Sequence, residues 1–208
     1  MEKNRIIAKN PLFSSTKKWI IVLLMMHIYV EAPAQTLEDF YRKSANTNQT
    51  AMYILGSWAV GNMLIGGIGM SQTSGDTRYF HQMNLMWNTV NMGIAAFGLI
   101  SGAPGFSNSA DLVISNHRKM ENLYLINSGL DLIYIAAGGY MLHRSKSSVK
   151  RADMLEGYGK SVILQGGFLL VFDTAFWLLQ RNMRLNLPEN LSVDLTNNYP
   201  GLQLTFRF

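Results

Sequence analysis

The stretch NSGLDLIYIAAGG, residues 127–139, decides how this chain folds. It has the composition of the middle of a very apolar helix, yet it carries Asn127 and, four residues later, Asp131. An ionised Asp near the centre of a bilayer costs about 2.5–3.5 kcal/mol on insertion scales. In a membrane protein this carboxylate must therefore face other helices, whereas in a soluble bundle it would need only a polar outer surface. The neighbouring segments distinguish these two folds.

Four apolar segments are long enough to cross a bilayer of about 30 Å as helices. Residues 44–75 and 79–110 contain no charged side chain, although a helix of a soluble bundle needs a charged outer face. We therefore predict an all-α fold, a four-helix transmembrane bundle in membrane lipid, over residues 35–185. The predicted spans are 51–70, 83–101, 121–142 and 161–180.

A second feature of these spans is a weak internal similarity. YILGSWAVGNMLIGG from Tyr53 and YLINSGLDLIYIAAGG from Tyr124 share an aromatic start, a Ser and a small-residue end, about 71 residues apart. This spacing is compatible with two tandem helical hairpins, a form of repeat known in membrane proteins.

The N-terminal 34 residues have the layout of a cleavable signal peptide. Five basic residues precede the apolar run IIVLLMMHIYV at 20–30, and small residues follow at Ala32 and Ala34. Cleavage after Ala34 removes five of the 18 basic and two of the 13 acidic residues, so the net charge falls from +5 to +2. After the cleavage site, Thr36 is the expected N-cap of an amphipathic surface helix that leads into the first span.

Loop charges predict the orientation of the bundle. The connection between the third and fourth spans carries Arg144, Lys146, Lys150 and Arg151, so the positive-inside tendency places it in the cytoplasm. The mature N- and C-termini are then periplasmic, as a cleaved signal requires. Spans this apolar favour the bacterial inner membrane over the outer membrane.

Polar residues of the spans recur three and four positions apart, which places them on one face of each helix. We expect these faces to meet in a polar seam, to which the first span adds Ser57 and close approach at Gly61, Gly66 and Gly69. The seam contains the candidate residues for binding a ligand, a proton or a cation: Asp131, Asp173, Asn127, Asn88, Asn91, Gln165, Tyr134, Asn84 and Asn62.

Two roles for the seam stay open. The Asn and Gln residues alone are explained by hydrogen bonds that hold the helices in register, worth roughly 0.6 kcal/mol each on average. The two Asp residues are not, because an ionisable group inside a membrane is by default a functional candidate. They favour a module that binds or transports a small polar ligand, a cation or a proton. The alternative is a structural or assembly partner of another envelope protein.

Other classes of function receive little support from the sequence. Two carboxylates could act as acid and base, but nothing specifies a substrate, so an enzyme is the third choice. The chain has no Cys, and His81, His117 and His143 are not spaced as metal ligands, so we expect no metal and no cofactor. No basic stripe with interleaved aromatic residues predicts a nucleic-acid partner.

The C-terminal segment, 186–208, differs from the rest of the chain. LSVDLT, NNYPG and LQLTFRF have the pattern of strand, turn and strand. We predict a short extracytoplasmic β-hairpin or tail there, packed on the bundle.

Four stretches carry a resemblance to a known family: GSWAVGN, WNTVN, NSGLDLIY and QGGFLLVFD. Together they make the chain similar, over about residues 36–185, to an uncharacterised family of small helical membrane proteins found in Bacteroidota. The resemblance implies four membrane helices and assigns no activity to any residue.

Overall fold

The computed structural model describes residues 36–187, and in this part of the chain it contains four α-helices and no β-strand. The all-α prediction is confirmed. The predicted signal peptide and the strands of the predicted C-terminal hairpin lie outside the described residues. The helices are α1 (Leu37–Gln72), α2 (Gly75–Ser101), α3 (Ala110–Ser145) and α4 (Ala152–Leu185).

The start of α1 confirms one prediction and corrects another. The Thr36 side chain caps the helix by accepting a hydrogen bond from the backbone N–H of Asp39 at 3.1 Å. The helix then runs without a break into the first predicted span, because no Gly or Pro interrupts it before Gly56. Its first turns do not lie on a surface as a separate helix: Phe40 is fully buried against Ile114 and Met183.

The four helices pack as two hairpins. α1 packs mainly against α2, and α3 packs mainly against α4, while contact between α2 and α4 joins the hairpins. The turns within the hairpins lie at the same end of the bundle, where Lys160 of α4 forms an ion pair with Asp76 of α2 at 2.8 Å. At the opposite end, Tyr41 of α1 donates a hydrogen bond to the backbone carbonyl of Pro104, in the connection between α2 and α3.

Glycine allows the closest helix contacts. A Cβ atom at Gly138 of α3 would lie 2.8 Å from the carbonyl oxygen of Gly159 of α4, and one at Gly159 would lie 2.7 Å from that of Gly138. Gly66 and Gly69 likewise lie against α2 at His81, as predicted. The prediction for Gly61 is wrong, because a Cβ there would meet no atom within 4 Å.

The distribution of polarity is the reverse of that in a soluble bundle. Among the described residues, 12 of the 26 that are buried and not glycine are polar or charged. Large apolar side chains cover the outside instead, including Phe97, Ile100 and Val171, which are 73%, 86% and 72% exposed. Soluble monomers rarely expose so many large apolar side chains together.

Three of the four helices, α1, α3 and α4, are long and apolar enough to cross a membrane. α1 and α3 have 36 residues each, which corresponds to about 54 Å of helix at 1.5 Å per residue. α2 is not among them, although it contains the predicted span 83–101. The physical reason is its three amides, Asn84, Asn88 and Asn91, which lower its mean hydropathy but are all buried.

Candidate functional site

The predicted seam divides into two regions. The first, which we call the amide ladder, consists of Trp58, Asn62, Asn84, Asn88 and Gln165. The second, which we call the aspartate pocket, is a cavity bordered by Asp131, Asp173, Asn91, Asn127 and Tyr134 together with apolar side chains. Together the two regions contain all nine predicted seam residues.

The amide ladder is a closed hydrogen-bond network centred on Asn84. The side-chain amide of Asn84 donates to the Asn62 side chain at 3.0 Å, and its oxygen accepts from Gln165 and from Asn88. The indole N–H of Trp58 donates to the Gln165 oxygen at 2.9 Å. Three helices are thereby held together, since Trp58 and Asn62 belong to α1, Asn84 and Asn88 to α2, and Gln165 to α4. Trp58 was missed from the sequence because an indole in an apolar helix is usually explained by packing.

Asn91 links the ladder to the pocket. Its side chain donates to the Asn88 oxygen at 3.4 Å, and it borders the cavity. The same face of α2 therefore serves both regions, as its three-and-four spacing predicts.

The aspartate pocket is a cavity of about 190 Å³ between all four helices. Met52 and Leu55 of α1 and Leu169 and Phe172 of α4 form part of its wall. Asp131 comes from α3 and Asp173 from α4, and both are almost completely buried, with 2% and 4% exposure. Helices from both hairpins are therefore needed to build it.

The carboxyl groups of the two aspartates lie next to each other, and the Asn127 side chain lies beside that of Asp173. No hydrogen-bond partner in the described part of the chain reaches Asp131 Oδ2. Two carboxyl oxygens can bond to each other only through a shared proton, and two neighbouring negative charges repel strongly in a medium of low dielectric constant. The pair therefore needs a positive charge that the described side chains around it do not supply.

Three basic side chains of α4 flank Asp173, and each contacts another group. Arg181, eight residues after Asp173 and so about 12 Å away along the helix, lies over the Trp177 ring at 5.1 Å from its centroid. Lys160, 13 residues before Asp173 and so about 20 Å away along the helix, pairs with Asp76 and Glu156. Arg184, 11 residues after Asp173 and so about 16 Å away, pairs with Glu121 at 2.6 Å. None of these three side chains forms an ion pair with the aspartates.

Not every predicted seam residue is buried. Asn127 is exposed and Tyr134 is half-buried, although both border the cavity, so they lie at its edge. Ser57 is exposed on α1 and takes no part in the seam, which corrects the prediction for that residue. His81 packs against Gly69 rather than entering the ladder.

The sequence interpretation missed a third polar region, at the end of the bundle where the α2–α3 connection lies. This histidine cluster consists of Ser44, Asn48, His117, Tyr124 and Gln180. His117 bonds through Nδ1 to the Ser44 hydroxyl at 2.8 Å and donates through Nε2 to the Gln180 carbonyl at 2.9 Å. Tyr124 and Gln180 both donate to the Asn48 side chain. The spacings 44/48 and 117/124 continue the stripes toward this end, and that signal could have revealed the cluster.

Among the described residues, no group of three or more His, Cys, Asp or Glu side chains is arranged to hold a metal ion. The aspartate pocket offers two carboxylates, together with amide and phenol oxygens. Such a set suits a proton, a hard monovalent cation or an ammonium group better than a transition metal, which prefers His or Cys ligands.

Comparison with known proteins gives one match. The model of a family of unknown function, DUF6992, matches residues 54–174, which include the amide ladder and both aspartates. No curated protein and no solved structure matches the chain. Because the matched region covers more than half of its length, the chain belongs to the family of unknown function DUF6992.

Proposed function

We propose that this chain is a four-helix membrane protein that binds a positive charge, as a proton or a cation, at the Asp131–Asp173 pair inside the membrane. The observation that carries the proposal is the pair itself. Two buried carboxyl groups from different helices lie side by side on a cavity, and Lys160, Arg181 and Arg184 of α4 all contact other groups. Binding that couples to exchange across the membrane would make the protein a transport-like module.

The membrane placement of α2 is part of this proposal. Its mean hydropathy is lowered by amides that all point inward, while Val90, Ile94, Phe97 and Ile100 on its outer side are exposed. Lipid contacts only the outer side of a helix in a bundle, so the buried amides do not prevent α2 from lying in the membrane. α2 can therefore cross the bilayer beside α1, α3 and α4.

The topology of the bundle supports the orientation that the loop charges predict. The α1–α2 and α3–α4 turns lie at one end, and the second of these carries the cluster Arg144, Lys146, Lys150 and Arg151. Placing this end in the cytoplasm leaves the histidine cluster and the start of α1 on the periplasmic side of a bacterial inner membrane.

The experiment is thermal unfolding of the purified mature protein in a maltoside detergent, from pH 4 to pH 9, with and without Li⁺, Na⁺, K⁺ and Mg²⁺. The wild type is compared with an Asp131→Asn/Asp173→Asn variant. A matched control, Asp111→Asn/Asp153→Asn, removes two carboxylates that are exposed at the starts of α3 and α4.

We expect a lower pH or a bound cation to raise the melting temperatures of the wild type and of the control relative to that of the pair variant. A ligand at 100 times its dissociation constant stabilises by about 2.7 kcal/mol, which corresponds to several degrees for a domain of this size. Identical responses of all three proteins would refute binding at the pair. The structural and assembly role would then be the better explanation of the seam.

A further inference from the structure

The shape and the walls of the aspartate pocket indicate what kind of cation it takes. Its volume, about 190 Å³, exceeds what a bare inorganic ion fills. An engineered apolar cavity of about 150 Å³ is known to accommodate benzene. The pocket therefore has room for an organic molecule slightly larger than benzene.

Most of the wall is apolar. Ten of the 14 residues that border the cavity are aliphatic or aromatic, and four are Asn or Asp. A hydrated metal ion would lose water against such a wall without gaining enough oxygen ligands. An apolar body, in contrast, gains about 25 cal/mol for each Å² removed from water.

Aromatic rings stand close to the carboxyl pair. Trp87 of α2 and Tyr134 of α3 meet edge to face with their centroids 4.9 Å apart, and Tyr134 is one helical turn from Asp131. Phe172 adjoins Asp173 in the sequence and also borders the cavity. Aromatic faces attract ammonium groups within about 6 Å, so rings and carboxylates together favour a protonated amine.

The way into the pocket lies between α2 and α3. The backbones of these two helices stay apart, in contrast to those of the pairs α1–α2, α3–α4 and α2–α4, and the Trp87–Tyr134 contact bridges them. Val90 and Ile94 of α2 and Leu130 of α3 border the cavity and are also exposed, so they form the rim of a lateral opening. In a bilayer an opening with this rim faces the hydrocarbon layer.

We propose that the aspartate pocket binds a small lipophilic amine that enters sideways from the bilayer between α2 and α3. The ammonium group lies on the Asp131–Asp173 pair, and the apolar body packs against Trp87, Tyr134 and Phe172. Asp131 Oδ2, buried and without a hydrogen-bond partner in the described chain, is the acceptor that the ammonium group satisfies. This inference rests on the proposed function and adds the ligand class and its route.

The test uses the full mature chain in neutral-lipid nanodiscs and three probes of nearly equal size. These probes are 2-phenylethylamine, the neutral 2-phenylethanol and the anionic phenylacetate. Thermal unfolding and calorimetric binding are measured for the wild type, for Asp131→Asn/Asp173→Asn and for Val90→Trp. The last variant fills the rim, and its matched control, Val171→Trp, adds the same ring to an exposed site on α4 away from the cavity.

We expect the amine alone to raise the melting temperature of the wild type and of Val171→Trp, by about 5 °C at saturation. The pair variant should lose the response completely. Val90→Trp should slow amine association at least tenfold, measured by rapid mixing with tryptophan fluorescence, while it retains the response to pH and to inorganic cations. An alcohol that binds as well as the amine would overturn the proposal, as would an amine response that survives in the pair variant.

The outcomes separate the two proposals. If Na⁺ or pH stabilises the wild type through the aspartates but the amine does not bind, the amine ligand is wrong and the charge-binding pair stands. If neither acts through the aspartates, both proposals fail. An amine association rate that is unaffected by Val90→Trp would overturn the lateral route.

Discussion

The amide ladder and the aspartate pocket are adjacent, share α2 and α4, and yet differ in how their polar groups are satisfied. In the ladder, each side-chain amide bonds to a neighbouring side chain, and Trp58 completes the bonding of Gln165. In the pocket, the two aspartates adjoin each other and Asp131 Oδ2 has no hydrogen-bond partner in the described chain. A cavity lies beside this pair.

The difference shows how a polar core divides into structure and function. A closed network of neutral amides supplies its own donors and acceptors and needs no ligand. Ionised carboxyl groups contain no hydrogen-bond donor, so two of them cannot satisfy each other. The pair needs an added proton or cation to neutralise its charge. Burial alone does not separate the two regions, because Asn84, Asn88 and Gln165 in the ladder are buried as completely as the two aspartates in the pocket.

The largest expected effect is the loss of the centre of the ladder. Asn84→Leu leaves Gln165 and Asn88 without their acceptor, and an unsatisfied buried polar group costs about 1–3 kcal/mol. We expect the free energy of unfolding to fall by about 2–4 kcal/mol, measured by reversible denaturation in mixed micelles. Thr89→Leu, on the exposed side of α2, is the matched control and should change it by less than about 0.5 kcal/mol. Equal losses in the two variants would mean that the ladder is not structural.

Exchanging acid and amide between the two regions tests the comparison directly. Asn88→Asp places an acceptor where a donor to Asn84 is needed, so we expect a loss of about 1–3 kcal/mol. Asp131→Asn removes the like-charge contact and supplies a donor, so the unliganded protein should be unchanged or more stable by about 1 kcal/mol. Denaturation of both variants at pH 7.5 without added cations measures the difference. If Asp131→Asn is as damaging as Asn88→Asp, the acid is itself structural.

The histidine cluster sharpens the comparison, because it is titratable but fully bonded. His117 lies outside the predicted span 121–142, and burial lowers its pKa below the ordinary value, with Glu121 and Arg184 as the charged groups near it. Below about pH 6.5 the unfolded chain binds a proton that the folded chain does not, so the free energy of unfolding falls as the pH drops from 6.5 toward the folded pKa. The aspartate pair responds to pH in both proteins, so the measured quantity is the free energy of unfolding of the wild type minus that of His117→Gln. Denaturation between pH 7.5 and 5.5 should show this difference falling as the pH drops. His143→Gln, at an exposed site, should follow the wild type.

The smallest effect is expected at the hairpin turns. The hydrogen bond from Lys160 lowers the pKa of Asp76, so its contribution is present above the unfolded pKa of Asp and is lost as the pH falls through the folded value. Both side chains are largely exposed, and solvent screens such a pair to about 0.5 kcal/mol or less. Lys160→Met should therefore change the free energy of unfolding only slightly, and the change should disappear in 1 M NaCl. A larger loss that persists in high salt would show that Lys160 acts through packing.

Much of the seam could be predicted from spacing alone. Asn84, Asn88 and Asn91, or Asn127, Asp131 and Tyr134, fall on one helix face whatever the partners are, because the helix has 3.6 residues per turn. The predictions for Ser57 and Gly61 were wrong, because helical spacing shows which residues share a face. It does not show which part of that face contacts a neighbouring helix. The ladder and the pocket could not be told apart for the same reason.

The sequence by itself determined an all-helical fold, four helices and most of the residues that turn inward, since helical periodicity is a local property. Only the tertiary structure decided that Gln165 joins the asparagines, that Asp131 meets Asp173, and that α2 and α3 leave an opening beside them. These depend on the rotation and separation of helices far apart in the chain. They are fixed by close contacts between helices, such as that of Gly138 with Gly159, and the sequence of one helix does not specify such a contact.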